Sequence, residues 1–194
     1  MKLSAETLEK NWTTFNTLLK SACGEKIDSL FDIFGERIVM CPLNLKEDQG
    51  GAYPGAMVEH ALSLAMQMRK MNKSFSMEID SFSIIKTALL HNIGRVGDEN
   101  NSLFVNQDSD WHREKLGQMY KYNEDIPKMS ISHRTLYILQ SFGIELTRDE
   151  WLAIQIAHGS HFEENRYYVN HEPSLAMLLQ QSNNFINHCS RISK

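Results

Sequence analysis

The sequence predicts a mainly α-helical fold: a single-domain helical bundle with a small β element. Three observations carry this. Apolar residues recur at helical spacing along most of the 194 residues. Helix start and stop signals bracket those runs. Strand signals are confined to two short segments. A chain of this length buries a full core as one domain. With 42% hydrophobic and 23% charged residues it has the composition of a globular protein, which excludes a disordered chain.

The first element is a helix capped by Ser4 and running to about Ala22. Leu8, Trp12, Phe15, Leu18 and Leu19 share its apolar face, and Gly24 stops it. A shorter helix covers Lys26 to Phe34. Arg37-Ile38-Val39-Met40-Cys41 is the best strand candidate, and Pro42 restricts it to an edge or an extended connection. The loop from Glu47 to Gly55 holds Gly50, Gly51 and Gly55 and must turn tightly. Helices follow from about Ala56 to Met71 and from about Glu78 to Asn92. The stretch from Gly94 to about Lys128 reads as polar and irregular, with a short hairpin between Leu103 and Tyr122. Thr147 and Glu150 form a capping box that opens a helix through about His158. Pro173 occupies a first-turn position of a last helix ending near Asn187. There is no internal repeat, low-complexity tract or linker. Residues from about 1 to 45 read as a helical extension on a core of about 50–190.

The formal net charge of -4 argues against broad electrostatic binding to nucleic acid and leaves a local basic groove open. Cys23, Cys41 and Cys189 show no CxxC spacing and read as reduced thiols. Met1-Lys2-Leu3-Ser4 opens without the apolar core of a signal peptide. No uncharged apolar run approaches the roughly 18 residues of a membrane span. The expectation is a cytoplasmic protein with no membrane partner; a homo-oligomer is compatible with it.

Chemistry concentrates on histidines. His60 follows the glycine loop on a helix, His91 ends the next helix, and His158 and His161 flank Gly159-Ser160. Asn183 and Asn184 lie inside the last helix. Helices that bring imidazoles to a common interior are how bundles build metal sites, and imidazole suits zinc, iron and nickel. A lone histidine on an apolar face is otherwise a hydrogen-bonded core residue. His158 fits either role, and His133 either caps or lines the site. His112, His171 and His188 read as structural or exposed. Met57, Met66, Met68 and Met71 read as core.

Leu90-His91-Asn92-Ile93-Gly94-Arg95 resembles the His-Asp element of the HD superfamily of metal-dependent phosphohydrolases. Gly51-Ala52-Tyr53-Pro54-Gly55 with His60 resembles the first histidine segment of HD-type bacterial 3′–5′ exoribonucleases. Asp149 to Gly159 is similar to a later helix ending in histidine-glycine, and Leu175 to Asn184 to the final ligand-bearing helix. The segment from Trp111 to Asn123 also resembles an insert of small HD proteins encoded by bacteriophages. The likeness extends over about two-thirds of the chain, from Gly50 to about Asn187. It implies metal positions at His60, His91, Asn92 and Asn183, with His158 in support. It implies contacts to a nucleotide or short RNA or DNA through Arg95, Lys86, His161, His133 and Tyr53. For a phage-encoded protein the site of action would be the host cytoplasm.

The departures fall on the ligands. Asn92 and Asn183 stand where the family has aspartates. An amide oxygen brings no charge to a cation, and Asn cannot act as a general base. The implied divalent metal (manganese, nickel, iron, zinc or magnesium) is then weakly held or absent. Asp98, Glu99, Glu163 and Glu164 are nearby acids that would either compensate or remain solvated loop charges. Three functions stay open: a phosphohydrolase with a weakened metal site, an inactive HD scaffold that binds a nucleotide or a protein, and a plain interaction protein on an inherited fold. Fold alone does not choose between them.

Overall fold

The computed structural model describes residues 3–159 and 162–192. The fold is mainly helical, with one two-stranded sheet. Helix α1 (Ala5–Cys23) starts at the Ser4 cap, whose side chain accepts from the Thr7 N–H, and ends at Gly24. It buries Phe15 and Leu19 as its spacing requires. Helix α2 runs over Lys26–Met40, well past Phe34. The strand expected at Arg37–Cys41 is therefore the last turn of a helix. Ile27, Leu30, Phe34 and Ile38 are buried at a helical period, so packing overrides the β-branched preference of Ile38-Val39. Cys41 and Pro42 then lead the chain away.

The glycine loop folds as expected. A 3-10 turn at Glu47–Gln49 is followed by positive φ at Gly50, Gly51 and Gly55. Gly55, at φ 85°, starts helix α3 (Ala56–Ser74). A Cβ on Gly55 would lie 2.2 Å from Leu8 Cδ2 of α1, so this turn works only with glycine. Helix α4 (Ser81–Leu90) begins later than the expected Glu78, at an Asp80 cap that accepts from the Ser83 N–H. Its Ile84, Ile85, Thr87, Ala88, Leu89 and Leu90 are all buried. A helix apolar on nearly every side belongs in the centre, and α4 does contact α1, α3, helix α7 (Arg148–Gln155) and helix α8 (Ser174–Ile192).

The expected hairpin exists as β1 (Phe104–Asn106) paired antiparallel with β2 (Tyr120–Tyr122), Val105 opposite Lys121. Helix α5 (Asp110–Leu116) fills its connection. Leu45 accepts from the Met119 N–H at 2.9 Å, which ties the hairpin to the glycine loop. Helix α6 (Ile131–Ser141), capped by Ser130, was not foreseen. Its buried Leu136, Ile138 and Leu139 carry the helical period, but polar Ser132, Arg134 and Thr135 are buried beside them and blur it.

The capping box at Thr147 and Glu150 opens α7. Glu150 has a second role. Its carboxylate accepts from Lys86 Nζ of α4 at 3.0 Å and from Ser83 Oγ at 2.8 Å. The pair is nearly dry, with side-chain exposures of 14% and 2%. Removing one partner of such a pair leaves an uncompensated buried charge, at about 3–5 kcal/mol. Glu150→Ala is expected to lower unfolding stability by about that amount. Lys86→Met combined with Glu150→Leu should recover most of the loss. Urea unfolding of the three proteins checks this, and a Glu150→Ala loss under about 1 kcal/mol would contradict it.

Candidate functional site

Two helices deliver the two best-placed histidines. His60 sits on the first turns of α3, held between α4 and α8 by apolar packing of Met57, Ala61 and Leu64. Its Nε2 lies 2.9 Å from Asn183 Oδ1 on α8. His91 is the C-cap of α4, its backbone N–H bonded to the Thr87 carbonyl. The 3-10 turn at Ile93–Val96 then brings Arg95 back over Asn92. The turn is pressed against α6, where a Cβ on Gly94 would meet Ile131 O at 2.4 Å. Thr135 Oγ1 accepts from the Gly94 N–H at 2.9 Å and donates to the His91 carbonyl at 3.2 Å.

The hydrogen bonds fix the protons of His60 and His91. A guanidinium only donates. Arg95 Nε therefore turns Asn92 Oδ1 towards itself, at 3.0 Å. Asn92 Nδ2 then faces His91 Nε2 at 2.8 Å, so that nitrogen is an acceptor. The His91 proton sits on Nδ1 and goes to the Ala88 carbonyl at 2.9 Å. On the other wall Asn183 Oδ1 also accepts from Asn187 Nδ2, which leaves the Asn183 oxygen facing His60. His60 thus carries its proton on Nε2.

The cluster is electrostatically one-sided. Burial, aided by the Arg95 cation, pushes His60 and His158 down to about 4, against the Asn183 hydrogen bond that raises His60. Burial, with His158, His60 and Arg95 nearby, holds His91 well below the usual imidazole range. All three rings are neutral at pH 7. Burial lowers Arg95 below the ordinary guanidinium range, with Cys41 and Tyr122 nearby pulling the other way. Burial pushes the Cys41 thiol to about 12. Arg95 is a half-buried cation with no carboxylate beside it among the described residues.

These residues do not fit a divalent metal as they stand. His60 Nε2 is protonated, His91 Nε2 is taken by an amide N–H, and a guanidinium holds the oxygen of Asn92. No group of three His, Cys, Asp or Glu side chains that could share an ion occurs among the described residues. The His158 ring lies 6.3 Å from that of His91, and its Nε2 has no partner there. Asp98 Oδ1 is used by the Asn100 and Asn101 N–H groups of its own loop.

The other expected contacts are scattered. Tyr53 and His60 line one cavity of about 520 Å³, and the Tyr53 hydroxyl donates to Glu59 at 2.7 Å. Lys86 is not brought to the cluster; Glu150 and the Glu145 carbonyl hold its ammonium. His133 is exposed and accepts from Gln155 Nε2 at 3.2 Å. His161 lies outside the described residues. Thr135 and Gln155 belong to the site and were not anticipated. A buried glutamine three residues before His158, on the apolar face of α7, was the available signal. Comparison with known proteins gives no match to a family model, a curated protein or a solved structure.

The proton assignments are directly measurable. Imidazole nitrogen spectra at pH 7 should show His91 as a neutral ring protonated at Nδ1 and His60 as a neutral ring protonated at Nε2. A doubly protonated His91 would contradict the hydrogen-bond chain from Arg95.

Proposed function

We propose that this chain is an HD-type scaffold that binds a phosphate group of a nucleotide or short oligonucleotide at Arg95, beside His60 and His91, without a tightly held metal. One observation carries the proposal. Arg95 is a half-buried guanidinium with no neighbouring carboxylate, and only its Nε is bonded within the described residues. A desolvated cation with its two terminal nitrogens still available is suited to a phosphate, which it can hold bidentately. The likeness of Gly51–His60 and Leu90–Arg95 to HD segments supports a nucleotide as the source of the phosphate.

The same arrangement disfavours a dication. A metal would meet neutral amides where the family places aspartates, with a guanidinium fixed on one of them. Each lost carboxylate removes a large attraction in a partly desolvated site. Asn at these positions keeps the volume of Asp while removing its charge. The purified protein is expected to carry well under one transition metal per chain by elemental analysis. Pyrophosphate and nucleoside triphosphates should bind by calorimetry. Arg95→Met should weaken them at least tenfold, and Arg95→Lys less. A parent affinity for pyrophosphate unchanged in Arg95→Met would remove the proposal.

A second reading has its own support. The Nδ1–H of His91 is anchored to the Ala88 carbonyl, which is how proteins orient metal-binding imidazoles. This favours a metal-dependent phosphohydrolase whose ligand set has been reduced to histidines. Introducing Asn92→Asp and Asn183→Asp together distinguishes the two. A phosphate-binding scaffold should gain metal affinity and acquire or raise hydrolysis of nucleotides or short RNA. A working enzyme would already release phosphate or nucleoside with added manganese or nickel and would not improve.

A further inference from the structure

Behind His158 lies a larger cavity, of about 900 Å³, between α6, α7 and the loops that follow β2 and α7. Its volume is in the range of small-molecule sites. Leu103, Ile126, Met129 and Ile131 supply apolar lining, and Tyr122 and Phe162 supply exposed aromatic rings. Such walls are suited to a flat, mostly apolar ligand.

Three polar atoms in this lining are buried and have no partner among the described residues: Gln155 Oε1, His158 Nε2 and Arg134 Nε. A buried polar group without a partner is uncommon and calls for an explanation. Gln155 is 5% exposed and its orientation is fixed. Asn165 Nδ2 donates to the Gly159 carbonyl at 2.8 Å, so Asn165 Oδ1 is left to accept from Gln155 Nε2 at 3.2 Å. The same Gln155 Nε2 reaches His133 at 3.2 Å. Both amide groups are thus locked with Gln155 Oε1 left over as an acceptor.

Gln155 Oε1 is a neutral acceptor, and the lining charges balance, Glu124 and Glu164 against Lys128 and Arg134, so the space favours an uncharged ligand with an N–H donor. We infer that it receives a neutral, planar nitrogen heterocycle whose ring or exocyclic N–H donates to Gln155 Oε1. A nucleobase is the class that meets these terms beside a phosphate cluster. This deepens the phosphate-binding role proposed above and rests on it for the choice of nucleobase. His158 is the shared wall: it lines the cavity and stands beside His91. His133 then acts as a positioning residue, since it holds Gln155 and does not touch the ligand.

The test uses the full chain and nucleosides without phosphate. Adenosine, guanosine, cytidine and uridine are titrated by calorimetry, each beside its analogue methylated at the base N–H. At least one nucleoside should bind, and its methylated analogue should bind at least tenfold more weakly. In Gln155→Met the parent nucleoside should lose a similar factor and the methyl penalty should shrink. Thermal melting confirms that the variant is folded; should it fail to fold, the methylation comparison on the unaltered chain decides alone. Equal binding of methylated and unmethylated forms, or no nucleoside binding at millimolar concentration, overturns the inference. Pyrophosphate titrated in parallel separates the two ideas. Pyrophosphate binding without nucleoside binding rejects only the heterocycle pocket. Nucleoside binding without pyrophosphate binding rejects only the phosphate cluster.

Discussion

The site depends on an approach that only a residue without a side chain permits. Gly94 lies so close to α6 that a methyl group there would overlap the Ile131 carbonyl. The contact lets one hydroxyl, that of Thr135, join the Gly94 N–H to the His91 carbonyl. A turn held at both ends in this way cannot swing, so the His91 ring and the Arg95 side chain keep their relation. Everything chemical about the cluster follows from that rigidity. The central helix α4 brings His91 inward because it is apolar on nearly all sides, but α6 decides where the chain goes next.

Within that frame, the two asparagines form a consistent pattern. Asn92 presents its nitrogen to His91 and its oxygen to Arg95; an aspartate could not give the first bond. Asn183 offers its oxygen to His60. The cluster is thereby hydrogen-bonded in a single sense, running from a cation through an amide and an imidazole to a backbone carbonyl. Networks of this kind rigidify a site when every member is satisfied. The atoms left over on Gln155 and His158 sit at its edge and line a cavity.

Much of this was legible in the sequence. The Ser4, Thr147 and Pro173 signals placed helix starts to within a residue, because capping is local chemistry. The hairpin between Leu103 and Tyr122 was also legible, though not the helix inside it. Arg37–Cys41 misled because its β-branched pair favours a strand in isolation, whereas Ile38 belongs to the buried stripe of α2. Helix α6 was hidden by its buried polar residues, whose role is tertiary: Thr135 pins a turn 41 residues away and Arg134 reaches the Pro127 carbonyl. At the site, the resemblance to HD segments marked His60, His91, Asn92 and Asn183, and the structure joins them as two pairs. Lys86 could not be judged by type alone. A lysine is a phosphate contact or a core ion partner according to what packs against it, and that information lies in Glu150 on another helix.

The contact between Gly55 and α1 changes how the first 45 residues are understood. Leu8, and Leu3 at 3.2 Å, close over the turn that launches α3, and Phe15 and Leu19 are wholly buried in the shared core. The boundary seen in sequence between extension and core is therefore not a boundary in folding. Helix α1 is a lid on the base of the helix that carries His60. A partner or fusion that pulled it aside would loosen that imidazole from a distance, without ever touching the pocket. Anyone trimming this chain should keep α1 together with the helix that carries His60.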